Sequence, residues 1–445
     1  MFDLQCQKTA RLLHSPVHSF RYRQGKLYCE DVDLARAAEE FGTPLYIYSA
    51  GTMLDHFTRL NVALAPLDHL ICYAVKANSN RAILKLLLDA GAGLDIVSGG
   101  ELFRAINAGA DPQKCTFAGV GKSRDEIEYA LDQCVYSFNV ESEAELDLID
   151  KIAGEKRSRA PIALRVNPDV DPHTHKYIST GSHENKFGIA LGDAPAVYER
   201  AAKMRNIEIV GVQMHIGSQI TEAAPFAAAI NKVVPLVRDL KSKPGIKFFS
   251  IGGGMGIIYR RALESGPGKW WHDHSGESSA FSVQDYANAI VPPLRDLGVR
   301  VLLEPGRFLV GNAGALLTRV RYIKKSAAKN FAIVDAGMND LIRPALYQGY
   351  HEIVPVEKGR GDSLNRLVDI VGPVCESGDF FALDREMPEL REGDLLAIMS
   401  AGAYGFTMAS NYNSRPLPAE ALIRGGDLKL IRRRQTWNDL VREEL

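Results

Sequence analysis

At 445 residues, with 46% hydrophobic and 24% charged, the chain is too long for one ordinary core and too apolar for disorder, so two folded domains are expected. Lys plus Arg (53) balance Asp plus Glu (54), which leaves no net field to favour nucleic acid or an anionic membrane as partner. The first residues, MFDLQCQKTARLLHSP, lack the apolar run of a signal peptide, no stretch reaches the roughly 20 apolar residues of a membrane span, and the six cysteines form neither a CxxC pair nor a cluster with histidine, so a cytoplasmic protein without metal or disulfide framework is expected.

Residues 20–48 are rich in β-branched and aromatic runs. From about residue 70 the pattern changes to short β-rich runs alternating with amphipathic stretches, which makes parallel strands with covering helices. The runs lie at 69–78, 92–98, 114–119, 136–140, 161–167, 209–218, 247–254 and 300–306. Eight is the number that closes a (β/α)8 barrel. Helices are expected between them: NRAILKLLLDA after a capping Ser79, GGELFRAINAGA ending at Gly109, SRDEIEYALD capped by Ser123, and ESEAELDLIDKIAG ending at Gly154. The fold class is therefore α/β, with a barrel over 45–306. Residues 1–44 and 307–445, with runs such as FAIVDAG, RLVDIVGPV and DLLAIMSAG, would form a mostly antiparallel β-domain of sandwich or barrel type.

Chemistry in such barrels sits at the C-terminal ends of the strands. Lys76 ends strand one in YAVKAN; a surface lysine is the plainer reading in isolation, but its apolar neighbours suit an amine to Schiff-base formation. Arg165, inside the apolar strand five, needs an anionic partner, for which Glu304 is the candidate. Strand six ends in His215-Ile216-Gly217-Ser218 and strand seven in Gly252-Gly253-Gly254-Met255-Gly256, which gives a phosphate close access to backbone N–H groups, with Ser218 as a hydroxyl donor. His215 offers a flat ring to a planar ligand, or is structural. After strand seven, residues 260–280 are polar, Gly-rich and carry two adjacent tryptophans, fitting either a lid or a surface insertion. Strand eight ends Glu304-Pro305-Gly306-Arg307, where a carboxylate can hold a heteroaromatic ring nitrogen protonated, or else form a surface pair with Arg307.

YAVKAN, HIGSQ, GGG, EPGR, RPALY, CESGD and YGFTMASNYN together resemble the fold-type III decarboxylases dependent on pyridoxal 5′-phosphate (PLP), and within them the diaminopimelate decarboxylase family, over roughly residues 20 to 435. The resemblance implies a barrel plus β-domain and the decarboxylation of meso-2,6-diaminopimelate to L-lysine, with relatives acting on D-ornithine, D-lysine or carboxynorspermidine as the alternative. It implies catalytic roles for Lys76, which would hold the cofactor, for His215, stacked on its ring, and for Cys375, which would donate a proton across the interface of a homodimer with shared sites. Asp95, Arg165, Ser218, Gly254, Glu304, Gly306, Arg307 and Tyr404 would contact the cofactor, while Arg307, Arg343, Tyr347, Glu376 and Tyr404 would contact the amino-acid substrate. The loop His183–Gly188 departs from the family's small polar residue before KFG.

Overall fold

The computed structural model describes residues 17–171, 186–243, 245–264, 282–359 and 365–445. They divide into two compact units, one within His56–Ile257 and Ala280–Phe308, the other within Met1–Asp55, Ile258–Ser279 and Leu309–Leu445.

The first unit is a closed barrel of parallel strands: β1 (His69–Ala74), β2 (Gly93–Ile96), β3 (Cys115–Phe117), β4 (Ser137–Val140), β5 (Ala160–Asn167), β6 (Ile207–Met214), β7 (Phe248–Ser250) and β8 (Arg300–Leu303). β8 returns to β1 with Val301 opposite His69, which closes the ring. A short strand, Ile189–Ala190, adds to β5. Strands covered on both faces are largely apolar, and β3, β4 and most of β5 and β6 are fully buried, with the polar Thr116, Ser137 and Asn139 buried among them. Helices such as Arg81–Asp89, Gly99–Asn107, Arg124–Asp132 and Glu143–Glu155 cover them.

The floor of the barrel is apolar: Cys72, Ala163, Val210, Phe248 and Leu302 pack as one buried cluster. Gly211 exists for the sake of Phe248, since a Cβ there would stand 2.6 Å from the phenyl ring. One register step further along, Asp95, Arg165, Gln213 and Ser250 are buried and polar. The barrel thus changes from oil to polar network within one turn of the pleat, and a buried polar layer is costly unless its groups are paired.

Helix starts follow capping chemistry, with two differences from expectation. Ser123 forms the capping box with Glu126, as its position predicts. The first crossover helix is capped by Asn80 rather than Ser79, because the Asn80 side chain reaches the Ala82 N–H at 3.0 Å. Gly154 lies inside its helix, which runs to Glu155.

The second unit holds a small meander of Phe20–Arg23, Lys26–Cys29 and Val32–Asp33 and a larger mixed sheet. In that sheet Gly314–Lys325 pairs antiparallel with Leu45–Ser49, Asn330–Val334 and Leu395–Ile398. Among the described residues, Leu45–Ser49 with Ala419–Arg424 and Asn330–Val334 with Arg366–Val371 run parallel. The segment 45–49, which the sequence places at the start of the barrel, is therefore a strand of this sheet. Its alternation explains why: Leu45 and Ile47 enter a core with Ala315, Leu317, Ala397 and Ala421, whereas the Tyr46 and Tyr48 hydroxyls donate to Asp340 O at 2.6 Å and Glu420 Oε1 at 2.8 Å.

Candidate active site

Lys76 stands one turn beyond β1, in the 3-10 turn Val75–Ala77, with its neighbours buried and its own side chain 41% exposed. Its Nζ donates to Asp95 Oδ2 at 3.1 Å. Asp95 is fully buried, and its Oδ1 has no partner among the described residues. A lysine so placed presents a tethered, solvent-reachable amine at the barrel mouth.

Glu304 follows β8 and is buried. Ser250 Oγ donates to its Oε1 at 2.6 Å and Gln213 Nε2 to its Oε2 at 2.9 Å. Burial, and then the charge of Asp95, push its carboxyl up to about 7, against the opposing pull of those donors and of Lys76. A cationic N–H brought to such a carboxyl would restore its ionised form.

The expected Arg165–Glu304 pair does not form. Arg165 Nη1 donates to both carboxylate oxygens of Glu141 at 3.0 Å, and the same carboxylate accepts the Gly119 N–H at 2.9 Å and the Gly188 N–H at 3.2 Å. Glu141 follows β4 directly, nearer along the rim than Glu304, whose oxygens Ser250 and Gln213 already occupy. The Arg165 guanidinium also lies 4.8 Å from the Phe187 ring. Of the loop 183–188, only Lys186 to Gly188 lie within the described residues, as do only 260–264 of the segment 260–280.

His215 keeps some exposed surface at the mouth, yet its ring is packed within the protein. Lost solvation, with the cations of Arg165 and Lys76 adding, holds its pKa well below the usual histidine range. The imidazole is neutral, and its Nδ1 accepts the Gly253 N–H at 3.2 Å. That bond ties β6 to the glycine loop. Gly254 has φ +111, and a Cβ on it would stand 2.5 Å from Gly217 O, so the backbone runs closer here than any side chain allows. Ser218 lies beside this loop and accepts from Arg307 Nη2 at 3.1 Å. Gly306 lies in the turn where Ala74 N–H donates to Pro305 O at 3.1 Å. Lys76, Asp95, His215, Ser218, Gly254, Glu304, Gly306 and Arg307 thus share one rim.

The remaining expected residues belong to the second unit. Arg343 opens the helix Arg343–Tyr347 and is buried; its Nη1 donates to His351 Nε2 at 2.7 Å, which leaves Nδ1–H of that ring to donate to Met399 O at 2.8 Å. Its guanidinium lies 4.7 Å from the Tyr259 ring. Tyr347 and Tyr404 are partly exposed, Tyr404 with a left-handed φ of 56. Cys375 is a free, exposed thiol, and Glu376 beside it accepts from the Tyr412 hydroxyl at 3.1 Å.

Residues 50–311 match the family model described as pyridoxal-dependent decarboxylase, pyridoxal binding domain. A diaminopimelate decarboxylase of Aquifex aeolicus is 47% identical over 425 residues, covering 95% of this chain and 97% of its own. One from Pseudomonas aeruginosa is 48% identical over 423 residues, with the same coverage of 95% and 97%. The chain belongs to the diaminopimelate decarboxylases. Solved structures of such decarboxylases agree in fold: that of Helicobacter pylori, complexed with L-lysine, has a TM-score of 0.85 at 40% identity and covers 93% of this chain and 99% of its own. That of M. jannaschii, in co-complex with L-lysine, has a TM-score of 0.88 at 35% identity, covering 97% and 99%.

The cofactor of a decarboxylase of this family is pyridoxal phosphate, and the barrel rim fits it on its own chemistry. There is a reachable amine, a carboxyl whose burial invites a cation, and a glycine loop with a hydroxyl and a guanidinium beside it, suited to an anion. Sequence reasoning missed Glu141, Gln213 and Ser250. The first could have been found as an acid standing directly between a barrel strand and the helix cap Ser142.

Proposed function

We propose that this chain decarboxylates meso-2,6-diaminopimelate to L-lysine and carbon dioxide, the last step of lysine biosynthesis, as a cytoplasmic homodimer. The observation that carries the reading is the pairing of Lys76 Nζ with Asp95 Oδ2 at 3.1 Å on the rim that also holds the buried Glu304. Bound there, pyridoxal phosphate supplies an electron sink for the bond pair left when a carboxylate departs.

The chain's residues do the rest. Lys76 anchors the cofactor, with Asp95 orienting its amine. Ser218, the glycine loop at Gly254 and Arg307 would hold the cofactor's phosphate, Glu304 would pair with its ring nitrogen, and the neutral imidazole of His215 would offer its ring a flat, uncharged face. Arg343, held rigid by His351 and Tyr259, suits a distal carboxylate, because a guanidinium fixed in place loses little entropy on binding. Tyr347, Glu376 and Tyr404 complete recognition of the distal amino-acid head. Cys375 returns a proton to the substrate carbon of the partner subunit's site. An exposed thiol with that task requires a reducing compartment. Exposed Tyr322, Leu367 and Leu383 offer apolar surface for self-association. The lysine complexes of the Helicobacter pylori and M. jannaschii relatives, holding the expected product, support the same substrate.

The test is to load the purified protein with pyridoxal phosphate and supply meso-diaminopimelate, D-ornithine and L-lysine separately. Carbon dioxide and lysine should form from the first alone. Gas from another amino acid overturns the substrate; borohydride reduction that fixes no cofactor on the Lys76 peptide overturns the assignment of the anchor.

A further inference from the structure

The loop that carries Cys375 is built around a buried acid. Asp379 is 5% exposed, and its carboxylate accepts the Val374 and Met338 N–H groups, both at 2.6 Å. Its backbone closes the loop: Gly372 N–H donates to Asp379 O at 3.1 Å, and Asp379 N–H to Glu376 O at 3.0 Å. These bonds fix the base of the loop. They leave the Cys375 N–H, which donates instead to Asn413 Oδ1 at 2.9 Å.

Asn413 belongs to a turn set in advance. It has φ 54 and ψ 29, and Ser414 follows with φ 53. Two successive left-handed non-glycine residues are unfavourable, asparagine least so, and they persist only where the surroundings fix them. Here Asn411 Nδ2 donates to Arg415 O at 2.8 Å and to Gln435 Oε1 at 2.7 Å, Ser410 N–H to Asn339 O at 2.9 Å, and Arg415 Nη2 to Asp335 O at 3.0 Å. Pinned on both flanks, the turn aims Tyr412 at Glu376 and Asn413 at the Cys375 backbone.

We infer that Asn413 is a positioning residue for proton return, acting through the backbone of Cys375; the inference rests on the reading of Cys375 as the donor. In that step the Sγ–H bond breaks and its proton goes to the substrate Cα. The electron pair that bound the departing carboxylate becomes the new C–H bond, and the thiolate regains a proton from water. A thiol on a wandering backbone would miss that carbon in some turnovers, after the carbon dioxide has gone. The proton would then be taken up on the cofactor side, and hydrolysis by water would release the carbon skeleton as an aldehyde instead of lysine, its amino nitrogen staying with the cofactor.

Asn413→Gly keeps the positive φ and removes the acceptor, whereas Asn413→Asp keeps both. In the glycine variant, hydrogen exchange of the Cys375 amide, read by mass spectrometry without substrate, should quicken roughly fivefold, the equivalent of one lost hydrogen bond. In the loaded enzyme, carbon dioxide should exceed lysine and kcat should fall with KM for substrate little changed. Asn413→Asp should restore the exchange rate and the one-to-one ratio. Cys375→Ser should show the same excess of carbon dioxide more strongly, and the double variant no further loss. Unchanged exchange, or equal carbon dioxide and lysine, in Asn413→Gly while Cys375→Ser is impaired overturns this inference alone. An unimpaired Cys375→Ser sinks both it and the donor reading. If the glycine variant fails to fold, the aspartate variant decides: its charge should move the pH profile of Cys375 alkylation upward relative to the exposed Cys134, and an unmoved profile overturns the inference.

Discussion

Replacing Glu141 by alanine should destabilise the barrel. Its carboxylate, with 1% side-chain exposure, gathers a guanidinium at 8% exposure and two backbone N–H groups. Removing it leaves the Arg165 cation buried without an anion, which costs about 3–5 kcal/mol. Each abandoned N–H would add about 1–3 kcal/mol if it stayed dry, but both lie at the rim, where water can enter, so the pair sets the scale. At a urea slope of about 3 kcal/mol per M, the midpoint should fall by roughly 1–1.7 M, followed by far-UV circular dichroism. Removing Arg165 as well should recover part of the loss, because no charge is then stranded. A midpoint within about 0.3 M of the parent in Glu141→Ala, or a double variant that shows strict additivity, would refute the assignment of this pair.

Gly254→Ala should weaken cofactor affinity by roughly tenfold or more in equilibrium dialysis, since the added methyl meets Gly217 O at 2.5 Å; Gly100→Ala, whose nearest atom is 3.8 Å away, should not. Glu101, which accepts the Val97 N–H at 2.8 Å, is pushed up to about 7, chiefly by burial. Its folded pKa lies above its unfolded one, so it binds more protons when folded and its contribution to stability falls as pH rises from about 4.5 to about 7. Glu101→Gln should therefore match the parent near pH 4.5 and exceed it above pH 7 by up to about 3 kcal/mol, and a gain independent of pH would contradict the argument. Of Cys29, Cys72, Cys115, Cys134 and Cys375, an alkylating agent at mild pH should label only the exposed Cys134 and Cys375. Burial pushes the other three thiols up, Cys115 to about 12, and peptide mapping checks the pattern.

The barrel was legible because its eight β-rich runs are short and separated by amphipathic stretches, and because Ser123 marks a helix start in local sequence. The residues of the rim were legible as strand-end chemistry, and their roles came from the motifs together. What stayed hidden was partner choice. The carboxylate that meets Arg165 is settled by how far each rim position lies round the closed ring, which no linear pattern encodes. The sheet membership of Leu45–Ser49 was hidden for a related reason: its neighbours Gly314–Lys325 and Ala419–Arg424 lie far along the chain, and its alternation of Leu45 and Ile47 with Tyr46 and Tyr48 fits either context.

That placement has a cost in time. As the chain leaves the ribosome, residues 45–49 emerge before any barrel strand, yet the two strands that flank them are completed only after residues 325 and 424 have been made. At about 5–20 residues per second, this strand waits on the order of half a minute before both its neighbours exist, whereas the barrel can close around its own local crossovers meanwhile. The tyrosines and aliphatic residues of Leu45–Ser49 are therefore the segment a holding chaperone would shelter during synthesis, and the one whose exposure would favour aggregation when translation of the last hundred residues stalls.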